Sequence, residues 1–118
     1  MNPHTTLANE RDAGMAAVGD AATLIELFLG RVAQTPDRAA LYVVETPANA
    51  AAKTASLRSW TWAELAAAAV RVARDLEASG LRRGDRVVHL GPHSVDWIVA
   101  DLACLLAGLV HVPLHADA

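Results

Sequence analysis

Two short β-prone runs, Arg86-Val87-Val88-His89-Leu90 and Leu109-Val110-His111-Val112-Pro113-Leu114, enclose a long apolar stretch bounded by Gly91-Pro92 and Gly108. The gap is too long for a hairpin loop and apolar at helical spacing, so the two strands are expected to run parallel with a helix crossing between them. A crossover of this kind is right-handed in nearly all folds. Parallel strands are covered on both faces, so the unit requires packing partners from elsewhere in the chain. This requirement constrains the fold more than any other feature of the sequence.

The crossing helix has its own signals. Ser94 is placed as an N-cap, and Asp96 lies in the first turn, where a negative charge favours the helix dipole. Val95, Ile98, Val99, Leu102, Leu105 and Leu106 form a wide apolar face, and Ala100, Ala103 and Cys104 leave little polar surface. Such a helix is expected to be buried on more than one side.

Upstream, Thr23-Leu24-Ile25-Glu26 reads as a capping box that opens a helix, with Leu24, Ile25, Phe28, Leu29 and Val32 on one face and a stop at Thr35-Pro36-Asp37. Residues 40–45 and 57–60 are β-prone and form a hairpin in the most economical reading. Between them, Thr46 to Ser56 carries Pro47, Asn49 and the single lysine, Lys53, in a composition suited to a surface loop. A second capping box, Thr61-Trp62-Ala63-Glu64, starts a helix with Leu65, Ala68, Ala69, Val72, Ala73 and Leu76 facing inward. Arg71 and Asp75 are placed to pair on its outer side, and Ser79-Gly80 ends it. The order of helix, hairpin, helix, strand, helix and strand defines an α/β layer, read here as the N-terminal fragment of a larger layered α/β domain. Residues 1–22 are expected to be a mobile leader, and residues 23–118 an incomplete subdomain.

Composition excludes several classes. With 53% hydrophobic but only 4% aromatic residues, the core must be aliphatic, and the chain is not of the disordered type. Acidic and basic residues are interspersed at a formal net charge of −3, leaving no footprint for nucleic acid or an anionic membrane. No stretch reaches the roughly 20 apolar residues of a membrane span, and a cytoplasmic location is expected. The single cysteine, Cys104, sits in the apolar helix and reads as a buried small hydrophobe.

Local motifs supply little chemistry. Gly91-Pro92-His93-Ser94 lies where a strand's carboxyl end meets a helix, the usual place for ligands in open α/β sheets, but it carries no phosphate-loop pattern and reads first as turn and cap. His111 and His115 lie on one side of the last strand with His89 on its neighbour, which raises a metal site. With no Cys or carboxylate cluster beside them, packing or hydrogen bonding is the stronger reading. No G-x-S-x-G elbow is present. Asp96 and Asp101 point about 140° apart on a helix and are no catalytic pair. Trp60 and Trp62 are read as packing about a helix entry.

A family resemblance adds what the local motifs do not. Thr35-Pro36-Asp37-Arg38-Ala39-Ala40-Leu41, Trp60-Thr61-Trp62-Ala63-Glu64-Leu65, Gly84-Asp85-Arg86-Val87, Leu106-Ala107-Gly108 and Val112-Pro113-Leu114 resemble, in order and spacing, the opening blocks of the adenylate-forming ligases, the acyl-CoA synthetase superfamily. Residues 96–103 look most like long-chain fatty acid CoA ligases. The resemblance implies a parent acid–thiol ligase that joins a carboxylic acid to ATP, with Mg²⁺ on the phosphates, and passes the acyl group to coenzyme A. It implies fatty acid, ATP and CoA as partners bound through a downstream region, with no nucleic acid and no integral membrane segment. The family's phosphate loop with its Lys, its ribose-binding Asp and its C-terminal Lys match no segment here, so no catalytic, cofactor-binding or metal residue is assigned. The fragment is expected to be catalytically incompetent and to hold no cofactor alone. The alternatives are a self-contained small α/β binding or interaction module, and, within the family, an amino or aryl acid substrate.

Overall fold

The computed structural model describes residues 22–45 and 55–115. All but the last residue of the expected leader, and the centre of the loop that carries Lys53, lie outside them. Helix α1 spans Leu24–Gln34. Thr23 caps it as expected, its hydroxyl accepting from the Glu26 N–H at 3.2 Å. The Glu26 carboxylate, however, accepts from the Ala22 N–H at 2.8 Å and not from Thr23, so the reciprocal bond of the expected capping box is displaced by one residue. Thr35 closes the helix by donating both its N–H and its hydroxyl to the Arg31 carbonyl.

Strands β1 (Ala39–Glu45) and β2 (Ser56–Thr61) pair antiparallel, with Tyr42 opposite Ser59 and Val44 opposite Leu57, and so form the expected hairpin with slightly longer strands. The Arg58 guanidinium lies 4.7 Å from the Trp60 ring centre, where the ring's electron-rich face attracts a cation.

Helix α2 (Trp62–Ala78) follows directly. Here the capping box is complete: the Thr61 hydroxyl accepts from the Glu64 N–H and the Glu64 carboxylate from the Thr61 N–H, both at 3.1 Å. Two further N–H groups at its start, of Trp62 and Ala63, donate to the carbonyls of Arg38 and Pro36, so the turn after α1 supplies the acceptors a helix start needs. The Thr61 and Glu64 bonds hold a charge, and Glu64 is kept below the usual carboxylate range by the Thr61 N–H first and its hydroxyl second. The expected Arg71–Asp75 pair does not form among the described residues. Both side chains stand exposed, where solvation competes well with so weak an attraction. Gly80, at φ +94°, takes the left-handed conformation that ends the helix.

The crossover unit consists of β3 (Arg86–Leu90), α3 (Val95–Ala107) and β4 (Val110–Leu114). The strands pair in parallel, Val87 beside His111 and Leu90 beside Leu114. Gly108 turns α3 into β4 at φ +71°, and a Cβ there would lie 3.2 Å from the Arg83 side chain, so both backbone and space favour glycine.

Helix α3 packs against α2 on one side and against the parallel strands on the other, as its apolar width requires. Phe28, Leu65, Ala68 and Val99 form the core shared by the three helices. Small residues allow the close approach: Ala69 and Ala103 are fully buried. The outward face of the strand pair is open, with Val88 62%, Leu90 66%, Val110 47% and Leu114 49% exposed. The fold is thus mixed α/β, with one two-stranded antiparallel and one two-stranded parallel sheet.

Candidate functional site

The polar side chains that the fold gathers lie on the inner face of the β3/β4 pair, beneath α3. Alternation along the strands points Val87, His89 and His111 toward the helix. There His111 meets Asp101 of α3, its Nδ1 3.0 Å from the carboxylate Oδ1. The other ring nitrogen of His111, Nε2, lies 3.2 Å from Nδ1 of His89. The His111 side chain is 5% exposed and Asp101's is 43%, so the chain of groups runs from a half-open carboxylate into a closed layer.

The protons follow from this geometry. An ionised carboxylate only accepts, so His111 carries its hydrogen on Nδ1 and donates to Asp101. In the neutral ring Nε2 is then the acceptor, and His89 donates to it from Nδ1. Aromatic contacts extend the cluster toward the carboxyl ends of the strands. The Trp97 ring meets His111 at 5.5 Å and His93 at 5.3 Å between centroids, edge to face, and His93 meets His115 at 5.0 Å. The indole Nε1 of Trp97 is buried without a hydrogen-bond partner.

Beside this cluster, β1 and the start of α3 enclose an apolar groove of about 550 Å³, walled in part by Leu41, Val43, Trp97 and Ile98. Ser94, on its rim, takes the N-cap position but makes no side-chain cap bond, which corrects the expectation that its hydroxyl closes the helix. Its extended backbone (φ −146°, ψ 179°) meets the cap geometry while the hydroxyl stays uncommitted.

The three histidines raised as metal ligands are distributed differently from a coordination site. His89 and His111 bond to each other, whereas His115 stacks with His93. Among the described residues no set of three or more His, Cys, Asp or Glu side chains is disposed to hold a metal ion. Asp96 occupies the first turn of α3, where its charge would repel a phosphate at that helix start, and the chain's one lysine, Lys53, lies outside the described residues. Asp96 and Asp101 are not paired: Asp101 belongs to His111. Cys104 is buried at 1% exposure, and burial, aided by the Asp101 charge, pushes its thiol above the ordinary range, the opposite of a nucleophile.

Sequence reasoning missed the link between Asp101 and His111. The available signal was a carboxylate within an apolar helical run, which needs a partner on whatever packs against it. Its identity required the register that sets β4 under α3.

Comparison with known proteins places this scaffold. Residues 28–118 match the family model described as AMP-binding enzyme. A feruloyl-CoA synthase from an Amycolatopsis species is 46% identical over 55 residues, which cover 47% of this chain and 11% of that protein. The adenylation domain of a carboxylate reductase from Mycobacterium chelonae superimposes with a TM-score of 0.68 at 36% identity, covering 87% of this chain and 17% of that one. A fatty acid AMP ligase from Legionella pneumophila gives a TM-score of 0.69 at 25% identity, covering 84% and 16%. The chain therefore spans less than a fifth of the length of each of these relatives. The chain shares its backbone fold with these two solved structures, and it belongs to the AMP-binding enzyme family of adenylate-forming ligases.

Proposed function

We propose that this chain is the N-terminal scaffold of an ATP-dependent acyl-CoA synthetase. It would help to frame the acid- and nucleotide-binding domain while the catalytic groups lie on other segments. The observation that carries the reading is the open outer face of the β3/β4 pair, formed by Val88, Leu90, Val110 and Leu114. Parallel strands are ordinarily covered on both sides, and here only the inner side has its helix. A match over residues 28–118 to a family whose members are several times longer supports the same reading.

In this proposal the parent enzyme activates a long-chain fatty acid with ATP and Mg²⁺ and transfers it to coenzyme A, in the cytoplasm. Residues 23–118 form one incomplete subdomain and residues 1–22 a leader. The feruloyl-CoA synthase and fatty acid AMP ligase among the relatives are named for an aryl and a fatty acid, so the acid is the first quantity to measure.

The test is direct. The purified chain, supplied with ATP, Mg²⁺ and a long-chain fatty acid, should release no pyrophosphate, and release would overturn the scaffold reading. In the full-length enzyme, pyrophosphate release should be fastest with fatty acids. Faster turnover of feruloyl or amino acid substrates would overturn the choice of acid.

A further inference from the structure

We propose that Asp101, His111 and His89 form an acid-released latch that fastens α3 to both strands of the parallel pair. Each member stands on a different element: Asp101 on α3, His111 on β4 and His89 on β3. The two bonds, 3.0 Å from His111 to Asp101 and 3.2 Å from His89 to His111, are the hydrogen bonds between side chains that cross this layer among the described residues. The surrounding contacts are apolar or between rings.

The response to acid follows from counting donors. With both rings neutral, His111 donates to Asp101 and accepts from His89. A first added proton goes to the free Nε2 of His89, or equivalently sits between the rings, and both bonds survive with the Asp101 charge as counterweight. A second added proton must occupy Nε2 of His111. That turns the acceptor into a donor, breaks the bond to His89, and sets two cations against each other in a half-buried layer. The closed latch has no place for a second added proton, so acid releases it. The folded state then loses the His89–His111 bond on acidification, and its stability falls by what that bond contributes.

The groups that face the latch are few. From α3 come Asp101 and, one turn on, Cys104, whose thiol is held neutral by burial. From the loop and the end of β4 come His93 and His115, both exposed and linked to His111 through the Trp97 ring. The charged residues of α2, Glu64, Arg71, Arg74, Asp75 and Glu77, are all exposed. None supplies a second counterion for the extra proton.

Nitrogen NMR on the full 118-residue chain tests the latch directly. At pH 7.5 a scalar coupling across the hydrogen bond should connect Nδ1 of His89 to Nε2 of His111, with His111 in the Nδ1–H tautomer, and the coupling should vanish by pH 5. Absence of the coupling at pH 7.5, or its persistence at pH 5, overturns the proposal. Thermal melting provides the second reading. Wild type should lose on the order of 4–8 °C between pH 7.5 and 5, the shift that one hydrogen bond makes in a domain this small. His89→Leu should lose much less, because His111 then takes its one proton against Asp101 without a clash. His93 and His115 are present in both proteins and cancel in the comparison. Equal acid sensitivity in the two overturns the latch, and if His89→Leu does not fold, the wild-type coupling decides alone.

Discussion

Replacing Ala103 by leucine tests the central packing claim, that α2 and α3 approach closely because small residues line their contact. Ala103 is 0% exposed and lies two residues from Asp101, about 200° around the helix, on the side away from the strands. Three added carbons have no free volume there, and the helices must separate or the side chain must leave its rotamer. Overpacking of this kind costs about 1–3 kcal/mol. In a domain of this size each kcal/mol moves Tm by roughly 4–8 °C, so Ala103→Leu should lower it by about 4–24 °C. The control is Ala67→Leu on α2, which adds the same three carbons at an exposed position and should stay within about 0.5 kcal/mol of wild type. Both are read by circular dichroism melts at one protein concentration. If Ala103→Leu melts with wild type, or if Ala67→Leu falls as far, the interface is not packed as described.

Three further outcomes follow from single side chains. Glu64 is fully exposed, but its capping bonds to Thr61 hold its carboxyl below the usual range, so the stability it contributes is present above the ordinary carboxylate pKa of 4.5 and lost as pH falls through its lowered folded-state value. Glu64→Gln should therefore melt below wild type at pH 7 and with it in strong acid; an equal gap at both would refute the charged cap. Removing the other half of the box, Thr61→Ala, should cost about 0.5–2 kcal/mol at neutral pH, measured by urea unfolding, and no loss would refute the cap. Cys104, buried with a raised thiol, should resist alkylation at pH 8 until denaturant is added, and fast labelling of the folded chain would contradict its place on the buried face of α3.

Much of the backbone was legible in advance because local chemistry decided it. Thr61 and Glu64 cap a helix wherever it packs, Gly80 and Gly108 occupy left-handed turns that exclude side chains, and β-branched runs flanking an apolar helix pair in parallel. The errors share a cause. Glu26, Ser94 and the Arg71–Asp75 pair are exposed polar groups whose partners differ little in energy, so water or a neighbouring amide serves as well as the expected one.

The polar cluster was less legible. His89, Asp101 and His111 are visible as residue types, and the inward face of His111 follows from strand alternation. That Asp101 lies over His111, and that His111 reaches His89 with its other nitrogen, depends on the register of β3 and β4 and on the rotation of α3 above them. Those quantities are set by the whole layer at once, by the alanine contacts with α2 on one side and the Gly108 turn on the other. Sequence alone determined the elements, their order and the family, because capping, periodicity and turn chemistry act within a few residues. Tertiary structure decided which polar groups meet, because side chains far apart in the chain come within 3 Å only when every packing distance between them is fixed.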